Sequence, residues 1–485
     1  MSQIKYNKMI IAKTLSRAVG TKILLVMTLF IAFGASSNDQ ERTSRLSDVS
    51  VAELDIENYP KRPEPILEWG NDFLNPGNIG EGIEMPGGAV WQPSLLVFGT
   101  FRSALQSFDA HGVETNELAS RLDLYANLQL TGTERILLGV RPLDKNGQFT
   151  GYEFGSHNDD SWQNELNSDI TTLFFEGDFG ELLPDWDKGD TKGYDIGFAI
   201  GRQPLNYQEG MLINDSIDAI GITRNTLLPN GGSDMQITLI YGWNEIHRND
   251  NHEYNDTNLF GLFVSMDRPK TTLNFDLVYI DDKDGDTDGI FWGISDVRRI
   301  GHYNLSSRIL GSHALEDQSA VALEKVPAVV SDGYLVFAEL SWTPAWTDDN
   351  VYVNVFVGID EFSSASRGPA NGGALGRTGI LFSAIGLGHY GAPISDMAQN
   401  AYGLALGYQQ FINPIKNQFI YEVGFRKETE SIGNSENSKE TSIAAAVRYV
   451  HALSQRTVFQ FDIFKTFNQE MEDAQGIRAE LLVQF

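Results

Sequence analysis

The sequence predicts an all-β protein, a transmembrane antiparallel β-barrel of about eighteen strands. Three observations predict it. Apolar and polar residues alternate with period two in one segment after another. The connections between those segments are alternately tight and long. Beyond the N-terminal region, no stretch approaches the ~18 apolar residues of a membrane helix.

Composition narrows the function classes. The chain has 485 residues, 41% of them hydrophobic, with 47 Gly, enough for one large β-structure. It has no cysteine, which excludes disulfides, thiolate metal sites and Cys nucleophiles. The formal charge of −29 argues against nucleic-acid binding. Acidic runs such as "DDKDGDTD" (Asp281 to Asp288) and "DDSW" (Asp159 to Trp162) lie between alternating segments, where solvated loops belong.

At the N-terminus, Lys5, Lys8, Lys13, Arg17 and Lys22 precede the apolar run Ile23 to Ala35, and small residues follow. This is the layout of a secretory signal peptide over residues 1–36, removed after Gly34 or Ser36. Residues 37–88 are polar, acidic and rich in Pro and Gly, which predicts an extended periplasmic segment that could plug a lumen. The barrel is expected over residues 89–485.

Strands are expected to start near 94, 119, 134, 168, 194, 215, 234, 257, 271, 287, 301, 332, 350, 398, 417, 440, 456 and 476. The pattern is clear in "RLDLYANLQL", where Leu122, Leu124, Ala126, Leu128 and Leu130 oppose Arg121, Asp123, Tyr125, Asn127 and Gln129. It recurs in "VYVNVFVGID" and "FIYEVGFRKE", the latter setting Phe419, Tyr421, Val423 and Phe425 against Glu422 and Arg426. The turns "TGTE", "DRPK", "NPIK" and "ALSQ" are tight, while residues 142–167, 245–256, 311–332 and 360–397 form long loops. The closing "GIRAELLVQF" puts Ile477, Ala479, Leu481, Val483 and Phe485 on one face. A spanning sheet must close on itself, so this strand is expected to pair with the first. Its terminal Phe resembles the signature read by the barrel assembly machinery. The expected surroundings are therefore the lipid and lipopolysaccharide of a Gram-negative outer membrane.

The polar stripe should enclose a wet lumen. Inward parity assigns Arg121, Arg135, Arg141, Arg308, Arg426, Arg448 and Arg478 to it, with Asp123, Asp195, Asp276, Glu339, Glu422, Asp462 and Glu480. The cations are all Arg, whose fork matches carboxylates bidentately. Either they pair across the wall and fill it, or some line a pathway for anionic solutes, such as an oligosaccharide or another small polar molecule. No HExxH or GxSxG is present, and the eight His are scattered, so neither an enzyme nor a cofactor is expected. "DGDTDG" offers Asp284, Asp286 and Asp288 as a weak calcium loop, but Ser295 stands where the bidentate Glu would be needed.

"GRQPLNYQEGMLINDSIDAIGITRN" (Gly201 to Asn225) breaks period two near Arg202, which predicts a bulge or an inward-folding loop. Arg202 would either staple that loop through Asp215 or Asp218 or sit at a constriction. On Gly201, Arg202, Gln203, Leu205 and Tyr207, the segment resembles the "GRQ-x-L-x-Y" stretch of the alginate-export family of outer-membrane porins. That resemblance implies a monomeric eighteen-stranded barrel with an Arg-rich bore that passes alginate or other solutes without energy. The later Gly of the motif is shifted to Gly210, and Met211 stands where the family has Arg. The expected constriction residues are Arg121, Arg141, Arg202, Arg308, Arg426 and Arg448, opposed by Asp276, Glu339 and Glu422. The expected function is a passive outer-membrane channel for polar, anionic solutes. The alternatives are a general porin without anion preference and a non-conducting surface barrel used for adhesion.

Overall fold

The structure is a computed structural model. It describes residues 65–70, 81–110, 112–154, 161–186, 188, 193–254, 256–283, 287–315, 328–412, 416–429 and 439–485. The expected signal peptide lies outside the described residues, as do most of the expected extended segment and both Asp284 and Asp286. One compact unit comprises residues 59–299 and 303–485.

The alternating segments form a closed antiparallel barrel of 18 strands. In chain order they are β1 (Ser94–Ala110), β2 (Val113–Gln129), β3 (Arg135–Val140), β4 (Ile170–Asp178), β5 (Ile196–Tyr207), β6 (Ile213–Leu227), β7 (Asp234–Asn244), β8 (Thr257–Arg268) and β9 (Thr271–Asp282). They continue with β10 (Gly289–Ile300), β11 (Tyr303–Ala314), β12 (Gly333–Trp342), β13 (Asn350–Asp360), β14 (Ala401–Ile412), β15 (Asn417–Glu428), β16 (Thr441–Ala452), β17 (Thr457–Asn468) and β18 (Ala474–Gln484). Each pairs with its sequence neighbour, and β18 closes on β1 from Gln475↔Asp109 to Gln484↔Thr100. Most strands are 11 or 12 residues long, which is enough for a tilted strand to cross hydrocarbon.

The first hairpin departs from expectation. β1 and β2 are both 17 residues long, so the second strand begins at Val113 rather than near 119. The extension carries "SFDA" and "VETNE", whose polar residues hide a strand that has left the apolar zone. Beyond β3, the strand Gln148–Glu153 takes over as the partner of β2. The segment before the barrel is partly regular: Leu67–Trp69 pairs with β1, and Ile83–Glu84 with Val90–Trp91.

The two faces separate as the pattern requires. Leu277, Leu404, Leu406, Val423, Ile463 and Ile477 are exposed on the outside, whereas Asp276, Glu422, Asp462 and Arg478 on the alternate face are buried. Two levels of outward aromatic rings flank this band. Tyr241, Phe260 and Tyr279 run side by side at the long-loop end. Tyr303 with Trp342, and Phe419 with Tyr449, mark the short-turn end. Aromatic girdles of this kind sit at the two interfaces of a bilayer.

Two segments fold into the lumen. One is the β5–β6 hairpin. Gly201 has φ 122°, and a Cβ there would stand 2.2 Å from the carbonyl oxygen of Leu173. Only glycine tolerates both constraints. Past Gly201 and Arg202 the hairpin loses β4, and its tip buries Leu205, Leu212, Ile213 and Ile217 inside. The register with β6 is unbroken through Arg202; the bulge falls instead between β6 and β7, after Asp218. The other segment is the loop of residues 361–400. Its Ser366–Arg367 runs parallel to Ile213–Asn214, and it buries Leu375, Leu381 and Phe382 against Phe356, Ala405, Ala444 and Phe464 of the wall. A Cβ on Gly424 would stand 2.8 Å from Leu381, so the wall is hollowed where the loop presses closest. Each such buried Leu or Phe contributes about 1.5–3 kcal/mol, and the inner core reaches from the hairpin across β8–β17.

Candidate functional site

The wall from β16 round through β18 to β3 carries a chain of guanidinium groups on its inner face. The 361–400 loop covers its β16–β18 part, where Arg478 is 2% exposed, and Arg121 and Arg141 border open space. Arg102 Nε donates to Glu480 at 2.6 Å, Arg448 Nε to Asp462 at 2.6 Å and Arg478 Nη1 to Asp462 at 2.9 Å. Arg121 donates twice to Asp123 at 2.9 Å, and Arg141 Nε reaches the same carboxylate at 2.8 Å. Five guanidiniums (102, 121, 141, 448, 478) thus share three carboxylates (123, 462, 480). Asp144 stands beside Arg121 and Arg141 as a fourth carboxylate, which leaves this arc with an excess of one positive charge. Arg102–Glu480 crosses the closure of β18 on β1, and Arg478–Asp462 joins β18 to β17, so the arc also fastens the barrel.

A cavity of about 700 Å³ lies between this arc, the β5–β6 hairpin and the 361–400 loop. Arg121, Arg141 and Arg202 line it together with Lys145, Arg377 and His247. The three predicted arginines are not equivalent there. Arg202 donates to Asp218 through Nε and Nη2, to the carbonyl of Ile170 through Nη1, and pairs with Glu245 at 2.9 Å. It is a clamp holding the base of the hairpin to two carboxylates. Arg121 is committed to Asp123 and to the carbonyl of Gly386. Arg141 spends only Nε on Asp123, and its side chain is 32% exposed. Arg377 is exposed and has no ion-pair or hydrogen-bond partner among the described residues. Arg141 and Arg377 are therefore the groups with donors to spare for an anion.

The remaining predicted residues divide. Asp276 and Arg308 line a second cavity of about 280 Å³ on the short-turn side of the hairpin. Gln208 Nε2 donates to Asp276 at 2.7 Å, and Glu209 pairs with Arg308 at 3.3 Å. Glu339 lies diagonal to Arg308 across the β11–β12 register. Arg426, Glu422 and Arg448 do not border the 700 Å³ cavity. Glu422 accepts the backbone N–H groups of Ile380 and Leu381 on the loop and the hydroxyl of Tyr352 on β13, so both of its oxygens are engaged. Arg426 is 2% exposed, paired with Glu428 and covered by the loop at Met397. Arg448 is spent on Asp462 in a crevice of about 10 Å³. Strand parity aims these groups inward, but it carries no information about what the loop covers. Asp288, the described member of the weak calcium trio, accepts the backbone N–H of Asp282 at 2.7 Å.

His247 sits where the hairpin meets the cavity. Its Nδ1 faces Asp215 at 3.0 Å, and Ser366 Oγ donates to the same carboxylate at 2.6 Å. Ser366 points at the carboxylate rather than the imidazole, so this trio is not a nucleophile–base relay. Burial opposes protonation of His247, but the hydrogen bond and charge of Asp215 outweigh it, and the imidazole titrates above its ordinary value.

No protein-family model and no curated protein matches the chain. Solved structures do resemble it. OccAB3 of Acinetobacter baumannii aligns with a TM-score of 0.54 at 11% identity, over 81% of this chain and 99% of that one. OccK2 (OpdF) of Pseudomonas aeruginosa, solved in complex with glucuronate, aligns at 0.52 and 11% identity over 81% and 98%. OccK7 (OpdD) of the same organism aligns at 0.52 and 9% identity over 81% and 98%. The chain shares the fold of these barrels.

Proposed function

We propose that the protein is a passive channel of the Gram-negative outer membrane, selective for small anionic solutes of the carboxylated-sugar class. The observation that carries this reading is the 700 Å³ cavity inside a closed barrel, where Arg141 and Arg377 face a wet space beside an arc with excess positive charge. The hairpin and the loop narrow the lumen from the other side, so a solute travels along the arginine wall. There it exchanges hydration for guanidinium contacts. The likeness in fold to a barrel solved with glucuronate supports the solute class, and the girdled exterior supports a place in lipid and lipopolysaccharide, reached through the barrel assembly machinery. The alginate-export motif supports the same family of chemistry on five residues. Nothing in this reading requires a catalytic residue or a cofactor.

The test is conductance in a planar bilayer. Discrete ohmic openings that glucuronate blocks at concentrations where glucose does not are the expected result. Silence, or equal block by both sugars, would sink the proposal. One observation favours a second reading: the loop core fills the lumen beside β13–β17. A barrel sealed in this way would be silent and would bind sugar at its outer loops.

A further inference from the structure

Three side chains from three separate segments meet on the wall near the long-loop end. Glu117 lies on β2, Glu153 ends the strand Gln148–Glu153 that pairs with β2, and His389 belongs to the infolded loop. Glu117 is 5% exposed. Its Oε2 stands 3.1 Å from His389 Nδ1, and its Oε1 accepts Gln106 Nε2 at 2.8 Å and the backbone N–H of His389. Glu153 Oε1 stands 3.8 Å from the same Nδ1. Among the described residues, neither carboxylate ion-pairs with any Lys or Arg, and His389 is the partner they have in common.

We propose that Glu117, Glu153 and His389 form a binding site for a divalent transition-metal ion of the zinc class. The donor set fits in kind and number: one imidazole nitrogen and two carboxylates, with solvent water completing the shell. It also fits in geometry. Four donors about 2.1 Å from a tetrahedral ion stand ~3.4 Å apart. The measured separations of 3.1 and 3.8 Å from Nδ1 straddle that value, and one ligand atom of each residue lies within 4.8 Å of the other two. Charge argues the same way. A single imidazole cannot neutralise two carboxylates in a partly buried site, whereas a dication does. Gln106 and the His389 N–H hold the Glu117 carboxylate in place, as outer-shell partners do in metal sites. The imidazole selects against Mg²⁺ and Ca²⁺, which take oxygen ligands. The ion would tie the infolded loop to the wall three residues from Gly386, whose carbonyl takes Arg121 beside the 700 Å³ cavity.

The experiment uses the full-length, tag-free protein, purified in detergent and stripped with chelator. Zn²⁺ is titrated by calorimetry, with Mg²⁺ as the control cation. The expected result is one saturable Zn²⁺ site that Mg²⁺ does not compete for. Glu153→Gln and His389→Gln should each weaken it by about tenfold or more. Zn²⁺ should also raise the melting temperature of the native protein but not of the two variants. Beyond its backbone pairing, Glu153 makes no described side-chain contact except His389, so its variant keeps the fold even if changes at Glu117 do not. Zinc binding that is absent from the native protein, or that is equal in native and variant proteins, overturns the proposal.

Discussion

Arg367 is fully buried and donates Nη1 to the carbonyl oxygen of Gly210 at 2.6 Å. Its other nitrogens take the carbonyls of Gly372 and Asn371 at 2.6 and 2.7 Å. One side chain thus closes the infolded loop on itself and bolts it to the tip of the β5–β6 hairpin. Burial lowers this guanidinium to about 10, which leaves it charged at neutral pH.

Arg367→Met should leave the carbonyls of Gly210 and Asn371 without this donor, while Gly372 keeps Asn251 Nδ2, and cost about 1–3 kcal/mol of local stability. The barrel wall does not depend on this contact, so its β-sheet circular dichroism should persist. The loop of residues 361–400 should become open to protease, and single-channel current should rise and become noisy. Unchanged proteolysis would show that the bolt is dispensable.

Arg141→Ala and Arg377→Ala should each weaken glucuronate block by about tenfold, the worth of one charge-assisted hydrogen bond of ~1.5 kcal/mol. Arg202→Ala should change block much less and should lower the melting temperature instead, because it strands Asp218 and Glu245. Bilayer titrations of the three variants decide the matter; the reverse ranking would place the solute on Arg202.

Gly201→Ala meets both a left-handed φ and a carbonyl at 2.2 Å. The expected loss is about 1–3 kcal/mol, read as a lower midpoint in urea unfolding from detergent. A neutral result would mean that the hairpin enters the lumen by another route.

The contribution of the His247–Asp215 pair depends on pH. Folding raises the imidazole above its unfolded value. The stabilisation is therefore complete below the ordinary His value of ~6.5 and fades as pH climbs through the higher folded value. Hydrogen exchange at residues 245–254 should speed up over that window, and His247→Gln should abolish the dependence.

Leu404→Arg places a cation on the outer face between the girdles, where Leu404 is 41% exposed. The cost should be about 2–4 kcal/mol in lipid vesicles, measured by denaturant unfolding. A negligible cost would deny that this face meets hydrocarbon.

Strand placement was legible because hydrocarbon enforces alternation: Leu404 and Leu406 outside, Glu422 and Arg426 inside, as parity required. The rule fails where hydrocarbon ends. The β1–β2 hairpin continues past the apolar zone, where "SFDA" and "VETNE" are free to be polar on both faces. The site was less legible than the wall. Arg377 and His389 sit on a loop, and loops have no period that reveals direction. Glu422 and Arg426 point inward as expected, yet the loop takes their hydrogen bonds, and only the tertiary contact with Ile380, Leu381 and Met397 reveals it. The break in alternation was visible at Arg202; the positive φ of Gly201 beside it was not.

The inner core described above alters what the bilayer must supply. From β13 to β17 the sheet is sandwiched, with hydrocarbon on one side and Leu375, Leu381 and Phe382 on the other. That sector keeps its scaffolding when lipid is stripped away by a harsh surfactant. Unheated protein in dodecyl sulfate should therefore migrate as a compact species, and thermal unzipping should start on the opposite, water-backed side, among β2, β3 and β4.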